Sequence, residues 1–322
     1  ETLPHSAVDT NGELDGLSGQ DLGTNDAVAL SPLSVGSGDA ELTVDPRVGM
    51  TLKRDGNSLL NLPANAFSIG LVDAIDPDLN YDPSYLEPGQ FGDFLYEAPT
   101  DLRWINGTSI VAVEVNGNTL SATIEFGQEG TAEVSVSVDG ENRFAIDWRP
   151  LSFSAITAMF RISPHCSTDD GFYGLGEYFD QVEHRGKVRT MHFVPAELES
   201  GHNEAHVPIP LLLGTRGWGL FIESLRPMVF ALGTEEPDRF RATVGVREAG
   251  NEGIRFYLFA EQHPLDLTQH YYEMTGYPGA ISRTALGPWI WRDEVSGQAQ
   301  VEADFLTIRE LDLAIFSLVI FN

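Results

Sequence analysis

The chain has 322 residues, 42% of them hydrophobic, which is enough apolar mass for a packed core and excludes a wholly disordered chain. Its 19 Lys+Arg stand against 48 Asp+Glu, and the formal net charge of −29 repels phosphate backbones and anionic bilayers. Nucleic acid and membrane are therefore not expected as partners, and no run of about 18 apolar residues is present to cross a bilayer as a helix. The length suits two domains. Cys166 is the single cysteine, so no intrachain disulfide forms. The chain opens at Glu1 with neither Met nor an apolar leader, as a processed secreted chain does, so an extracellular or periplasmic location is expected.

Residues 1–40 read as a linker or disordered tail, rich in Gly, Ser, Asn and Asp with little periodicity. From 41 to 262 the grammar is β. Alternating runs meet at Asp55-Gly56, Asn116-Gly117 and Asp139-Gly140, dipeptides that supply the positive φ of two-residue hairpins. Residues 75–103 carry Pro77, Pro83, Pro88 and Pro99 among aromatics and read as a long surface loop with aromatic anchors. Further strands are expected at "PIPLLLGTRGWGLFIES", "PMVFAL", "DRFRATVGV" and "GIRFYLFA". So many strands exceed one flat sheet, and a mainly β fold, a two-sheet β-sandwich, is expected.

The period then changes. Residues 263–284 form a connecting helix and loop, with Leu265, Leu267, His270, Tyr271 and Met274 at helical spacing and Gly276 and Pro278 as the stop. Residues 285–322 read as strand, helix, strand. The helix sets Val301, Phe305, Ile308 and Leu311 on one face, and the apolar strands predict parallel pairing buried on both sides. Only 37 residues follow Ala285, against the roughly 200 or more of a (β/α)₈ barrel. Either the chain continues in nature, or a partner covers this surface, or the piece folds poorly.

Few motifs carry chemistry. There is no phosphate-binding P-loop and no nucleophile elbow. Gly174 and Gly176 lack the third glycine of a dinucleotide fingerprint and read as tight backbone at a strand end. His202 and His206, four apart around Glu204, have the spacing of a helical zinc pair. Gly201 before them, Pro208 after them and the β surroundings favour polar or sugar-contacting loop histidines, so no metal is expected. Asn106-Gly107-Thr108 is a glycosylation sequon and equally a plain hairpin turn. Asp293 and Glu294 close the strand "PWIW", with Trp289, Trp291 and Arg292 beside them. Sugar faces stack on Trp, and Arg and carboxylates bind hydroxyls. The competing reading is a strand end capped by solvated charges. Two consecutive carboxylates diverge and cannot act as the facing pair of a glycosidase.

Four segments, "FYGLGEYFDQVEHRGK" at 172–187, "HVPIPLLLGTRGWGLFIES" at 206–224, "ALGPWIWRDE" at 285–294 and "IRELDL" at 308–313, occur in an order that resembles glycoside hydrolase family 31. That family holds α-glucosidases, α-xylosidases and related retaining enzymes. The resemblance implies a galactose-mutarotase-like sandwich followed by the truncated start of a (β/α)₈ barrel, with residues 286–292 and 314–321 as its first two strands. It further implies that the loop 188–205 sits over the barrel mouth. The family's two catalytic Asp residues lie on later strands, so no catalytic residue is expected within this chain. Family members carry a sugar-binding Asp at the end of the second barrel strand, where this chain has Phe321 or Asn322.

The resulting expectation is the N-terminal portion of a secreted retaining α-glycosidase acting on α-linked glucosides, xylosides or related sugars. No metal or organic cofactor is expected, the 322-residue chain alone is expected to be inactive, and Trp289, Trp291, Arg292, Asp293 and His202 are the candidate substrate contacts. The alternative is a non-catalytic carbohydrate-binding or structural β-sandwich.

Overall fold

The structure is a computed structural model that describes residues 31–76, 81–86, 99–178, 180–191, 207–246, 253–292, 297–315 and 317–320. The chain divides into two compact units, Glu1–His270 and Tyr271–Asn322.

The first unit opens with β1 (Leu33–Ser37), β2 (Ala40–Asp45), β3 (Gly49–Arg54) and β4 (Asn57–Leu62), a four-stranded antiparallel meander. Here the expectation of a tail up to residue 40 is corrected. Leu33 and Val35, two apart, pack against the core, and Asn142 Oδ1 accepts hydrogen bonds from the Asp39 and Ala40 amides at 2.9 and 3.1 Å. The Ser/Gly composition conceals this strand because only two of its residues are large. The Asp55-Gly56 hairpin forms as expected, with φ of 49° and 76°.

β5 (Phe67–Val72) and β6 (Arg103–Asn106) follow, then β7 (Ser109–Asn116), β8 (Thr119–Glu125), β9 (Gly130–Gly140) and β10 (Arg143–Phe153). The β7–β8 hairpin forms with Gly117 at positive φ, whereas the expected turn at Asp139-Gly140 is corrected to Glu141-Asn142, because both residues of that dipeptide are still in β9. The hairpin reading of Asn106-Gly107-Thr108 is corrected. Gly107 N still donates to Phe67 O at 2.8 Å, whereas Thr108 N donates to Glu125 O at 2.7 Å. The chain thus leaves one sheet and enters another within one residue. Glycine is required because a Cβ at 107 would collide with the Ala64 carbonyl oxygen. Of the expected loop at 75–103, residues 77–80 and 87–98 lie outside the described residues. Tyr81 is an anchor as expected, 5% exposed and packed with Val72, Ala158 and Met159.

The unit is completed by β11 (Ile156–Ile162), β12 (Phe172–Gly176), β13 (Lys187–Thr190), β14 (Pro208–Gly214), β15 (Trp218–Ile222), β16 (Met228–Leu232), β17 (Phe240–Gly245) and β18 (Ile254–Ala260). An eight-stranded sheet runs β12-β14-β15-β18-β10-β9-β8-β7, and a six-stranded sheet runs β13-β16-β17-β11-β5-β6. They pack as the expected sandwich. Trp148 of the larger sheet meets Phe67 and Phe160 of the smaller edge-on, at 5.2 and 4.9 Å between ring centroids. Trp218 stacks on Phe240 at 4.9 Å. Burying each such side chain contributes about 1.5–3 kcal/mol. Leu42, Leu52 and Leu60 of the meander join the same core, so a small third sheet extends the two that the pattern implied.

Helix α1 (Leu267–Thr275) spans the division between the units, which falls after His270. The second unit contains β19 (Trp289–Arg292), α2 (Gln298–Glu310) and β20 (Ser317–Ile320). β19 and β20 pair in parallel, Trp289 opposite Ser317 and Trp291 opposite Val319. Strand, helix and strand appear as expected. The expectation of burial on both sides is corrected: Trp289 and Trp291 are each 62% exposed, and no residue of α2 is buried. Beyond the end of α1, the described residues of this unit form two strands and one α-helix, too few layers to cover either.

Candidate functional site

β19 determines the first candidate site. Successive strand side chains point to opposite faces, so Trp289 and Trp291 share one face, about 6.6 Å apart along the strand. The result is two solvent-exposed indoles on one face, a side-chain type on which sugar rings stack. Arg292 is the last residue of β19, opposite Ile320. Asp293, Glu294, His202, His206, Phe321 and Asn322 lie outside the described residues. The structure therefore brings together the two indoles of the expected set and places the Arg292 backbone beside them.

The loop expected at 188–205 is corrected at its start, because residues 188–190 belong to β13, and 192–205 lie outside the described residues. Sequence reasoning missed a second arrangement, between β12 and β13. Gly174, Leu175 and Gly176 all take positive φ, 100°, 63° and 96°, so β12 bulges as it pairs with β14. A Cβ at Gly174 would collide with the Leu211 carbonyl oxygen and one at Gly176 with that of Val207, as the tight-backbone reading expected. The bulge presents the Gly174 carbonyl to His184 Nε2 at 3.1 Å. His184 Nδ1 accepts from Arg189 Nε at 3.1 Å, so Nε2 carries the proton and donates to that carbonyl. Both side chains are buried. Burial and the neighbouring Arg189 charge hold His184 below the ordinary histidine range.

Arg189 also donates to Asp180 Oδ1 at 2.7 Å and lies over the Tyr178 ring at 4.4 Å. Partial burial raises the Asp180 pKa, but the Arg189 hydrogen bond and charge outweigh it and hold the carboxyl below its usual range. The Tyr178 hydroxyl donates to Thr190 O at 2.9 Å, and burial pushes its pKa up. These bonds tie β12 to β13. The signal was present in "EYFDQVEHRGK", a polar run with no turn dipeptide and no period. Cys166 is inert as a nucleophile: burial first, then the Asp170 charge, push its thiol up to about 12.

Among the described residues, His165, Glu236 and Asp238 form one group of metal-ligating side chains, with one ligand atom from each within 4.8 Å of the others. His202 and His206, for which no metal is expected, lie outside the described residues.

Comparison with known proteins specifies the sandwich further. Residues 75–230 match a family model described as the glycosyl hydrolase 31 N-terminal galactose mutarotase-like domain. The chain is 24% identical over 201 residues to an isomaltosyltransferase of Sporosarcina globispora, a match covering 62% of this chain and 18% of that protein. It is 23% identical over 195 residues to the α-xylosidase XylQ of Lactiplantibacillus pentosus, covering 56% and 24%. Its fold is similar to that of the cycloalternan-forming enzyme from Listeria monocytogenes, solved with a pentasaccharide substrate, at TM-score 0.58 and 10% identity over 87% of this chain and 29% of that one. A GH31 family sulfoquinovosidase from E. rectale gives TM-score 0.56 and 10% identity over 90% and 40%. The chain thus spans less than a third of the length of the first relatives it matches. Residues 75–230 are thus similar to the N-terminal galactose mutarotase-like domain of glycosyl hydrolase 31 proteins.

Proposed function

We propose that this chain is the N-terminal part of a secreted, retaining α-glycosidase whose catalytic carboxylates lie beyond residue 322. In this reading β19, α2 and β20 are the first strand, helix and strand of a (β/α)₈ barrel. Trp289 and Trp291 stack against the sugar, Arg292 and Asp293 bind its hydroxyls, and His202 contacts it from the 188–205 loop. The observation that carries the reading is the parallel β19–β20 pair that follows the mutarotase-like domain and bears two exposed indoles on one face. Retention would proceed through a glycosyl-carboxylate intermediate, which needs two carboxyl groups about 5 Å apart on opposite sides of the bond.

The test compares two proteins: the 322-residue chain and the product of the same reading frame extended past the codon for Asn322. Each is assayed on aryl α-glucosides and α-xylosides, with the product anomer followed by NMR. The extended protein is expected to turn over and release the α-anomer, and the 322-residue chain to be silent. Turnover by the shorter chain overturns the placement of the carboxylates. Silence of both, with sugar binding retained, leaves a carbohydrate-binding sandwich instead.

A further inference from the structure

His165 follows β11, and Glu236 and Asp238 flank Pro237 in the connection from β16 to β17. Pairing of β11 with β17 brings these distant segments together. His165 Nδ1 stands 3.4 Å from Asp238 Oδ2. The two atoms form a long hydrogen bond, beyond the roughly 2.7–3.2 Å of a well-formed N–H···O bond. Their separation matches the edge, about 3.4 Å, between two ligands of a tetrahedral Zn²⁺ bound at about 2.0–2.1 Å. Glu236 supplies a third atom within 4.8 Å of both. Its Oε1 accepts from Arg239 Nη1 at 3.2 Å, which leaves Oε2 available as a ligand.

The backbone fixes all three positions. His165 exchanges both main-chain hydrogen bonds with Asn61 of β4, at 2.8 and 2.9 Å. Asp238 O accepts from Cys166 N at 2.8 Å, Glu236 O accepts from Arg239 N at 3.2 Å, and Pro237 O accepts from Arg185 Nη1 at 2.6 Å. The backbones of the three residues are therefore held before any ion arrives, which lowers part of the ordering cost of binding. Their side chains are 30%, 50% and 45% exposed for His165, Glu236 and Asp238, so an ion has a path in. Glu236 also lines a polar cavity of about 210 Å³, together with Ser163, Glu235, Arg239 and Arg241. The −29 charge of the chain concentrates cations at its surface.

We propose that His165, Glu236 and Asp238 form a site for a divalent transition cation of the Zn²⁺ class. One imidazole with two carboxylates suits zinc, whereas Ca²⁺ and Mg²⁺ prefer all-oxygen shells. The ion would clamp the connection between β16 and β17 to the strand end that meets β4. The proposal is independent of the glycosidase reading.

The test is calorimetric titration of the chelator-treated 322-residue chain with Zn²⁺, alongside thermal melting with and without the ion. One Zn²⁺ per chain and a raised melting temperature are expected. His165→Ala and, separately, Asp238→Asn should each weaken binding about 10- to 100-fold or more and abolish the thermal shift. A double variant, His202→Ala with His206→Ala, should bind as the parent does. Melting of each variant without zinc checks that it folds, and Asp238→Asn serves if His165→Ala does not. Binding that survives both single changes, binding lost in the double histidine variant, or no binding by the parent chain overturns the site. Equal binding of Ca²⁺ overturns its assignment to zinc.

Discussion

The two units place tryptophan in opposite environments. In the sandwich, Trp148 and Trp218 are fully buried and make aromatic contacts across two sheets. In the second unit Trp289 and Trp291, within an equally apolar strand, are each 62% exposed. The sequence around the two pairs is alike, and the number of layers around them differs. β10 and β15 have sheet neighbours on both sides and a second sheet across the core, whereas among the described residues β19 pairs with β20 alone. A hydrophobic strand is buried by what surrounds it. An aromatic face left open is available for a ligand or for further chain.

Four changes break or sharpen this contrast. Trp148→Ala should cost about 3–5 kcal/mol of unfolding free energy, read from urea melts, because it empties the centre of the core. A loss under about 1 kcal/mol would deny that the sheets meet there. Trp148→Phe should cost far less, since the buried indole Nε1 has no hydrogen-bond partner to lose. Next comes Asp170→Ala. That fully buried carboxylate accepts from Ser167 N, Arg216 N and Trp218 Nε1 at 3.0–3.1 Å. Stranding donors at about 1–3 kcal/mol each should cost roughly 3 kcal/mol, and Asp170→Asn clearly less, by the same melts.

The third change concerns pH. Folding depresses the His184 pKa, so below the ordinary value near 6.5 the unfolded chain takes a proton that the folded chain refuses. The stability is fully present above that value and is lost as pH falls towards the folded-state pKa. Urea midpoints taken between pH 8 and 5 should fall through this window, and less steeply in His184→Gln; parallel curves would refute the buried neutral imidazole. Trp291→Ala should change stability least, within about 0.5 kcal/mol, while weakening any sugar binding by the extended protein. A large stability loss there would mean that the indole is packed.

What could be read from sequence followed interaction range. The hairpins near Asp55-Gly56, Asn116-Gly117 and Asp139-Gly140 are local events, and their dipeptides announced them. The turn residues of the latter two pairs sit one or two positions later than the dipeptides, Gly117 and Asn142 taking the positive φ. Asn106-Gly107-Thr108 carries the same local signature and means something else, because β6 and β7 have partners in different sheets. β1 was concealed by small residues. At the site, alternation in "PWIW" was enough to put two indoles on one face. The His184–Arg189–Asp180 network was hidden in a run without period. His165, Glu236 and Asp238 meet only once β11 and β17 are paired. Residue spacing carries no trace of that encounter.

The strand order of the larger sheet has a consequence for synthesis of the chain. β18, the last strand of the first unit in sequence, lies in the interior of the eight-stranded sheet, between β15 and β10. Until it emerges from the ribosome there are two half-sheets, β7 to β10 and β12 with β14 and β15, each with a naked edge. Roughly a hundred residues separate Phe153 from Ile254, so at about 5–20 residues per second the β10 edge waits on the order of 5–20 s for its partner. The nascent sandwich is thus most open to mispairing during that interval, and a chaperone that shields strand edges would find its client there.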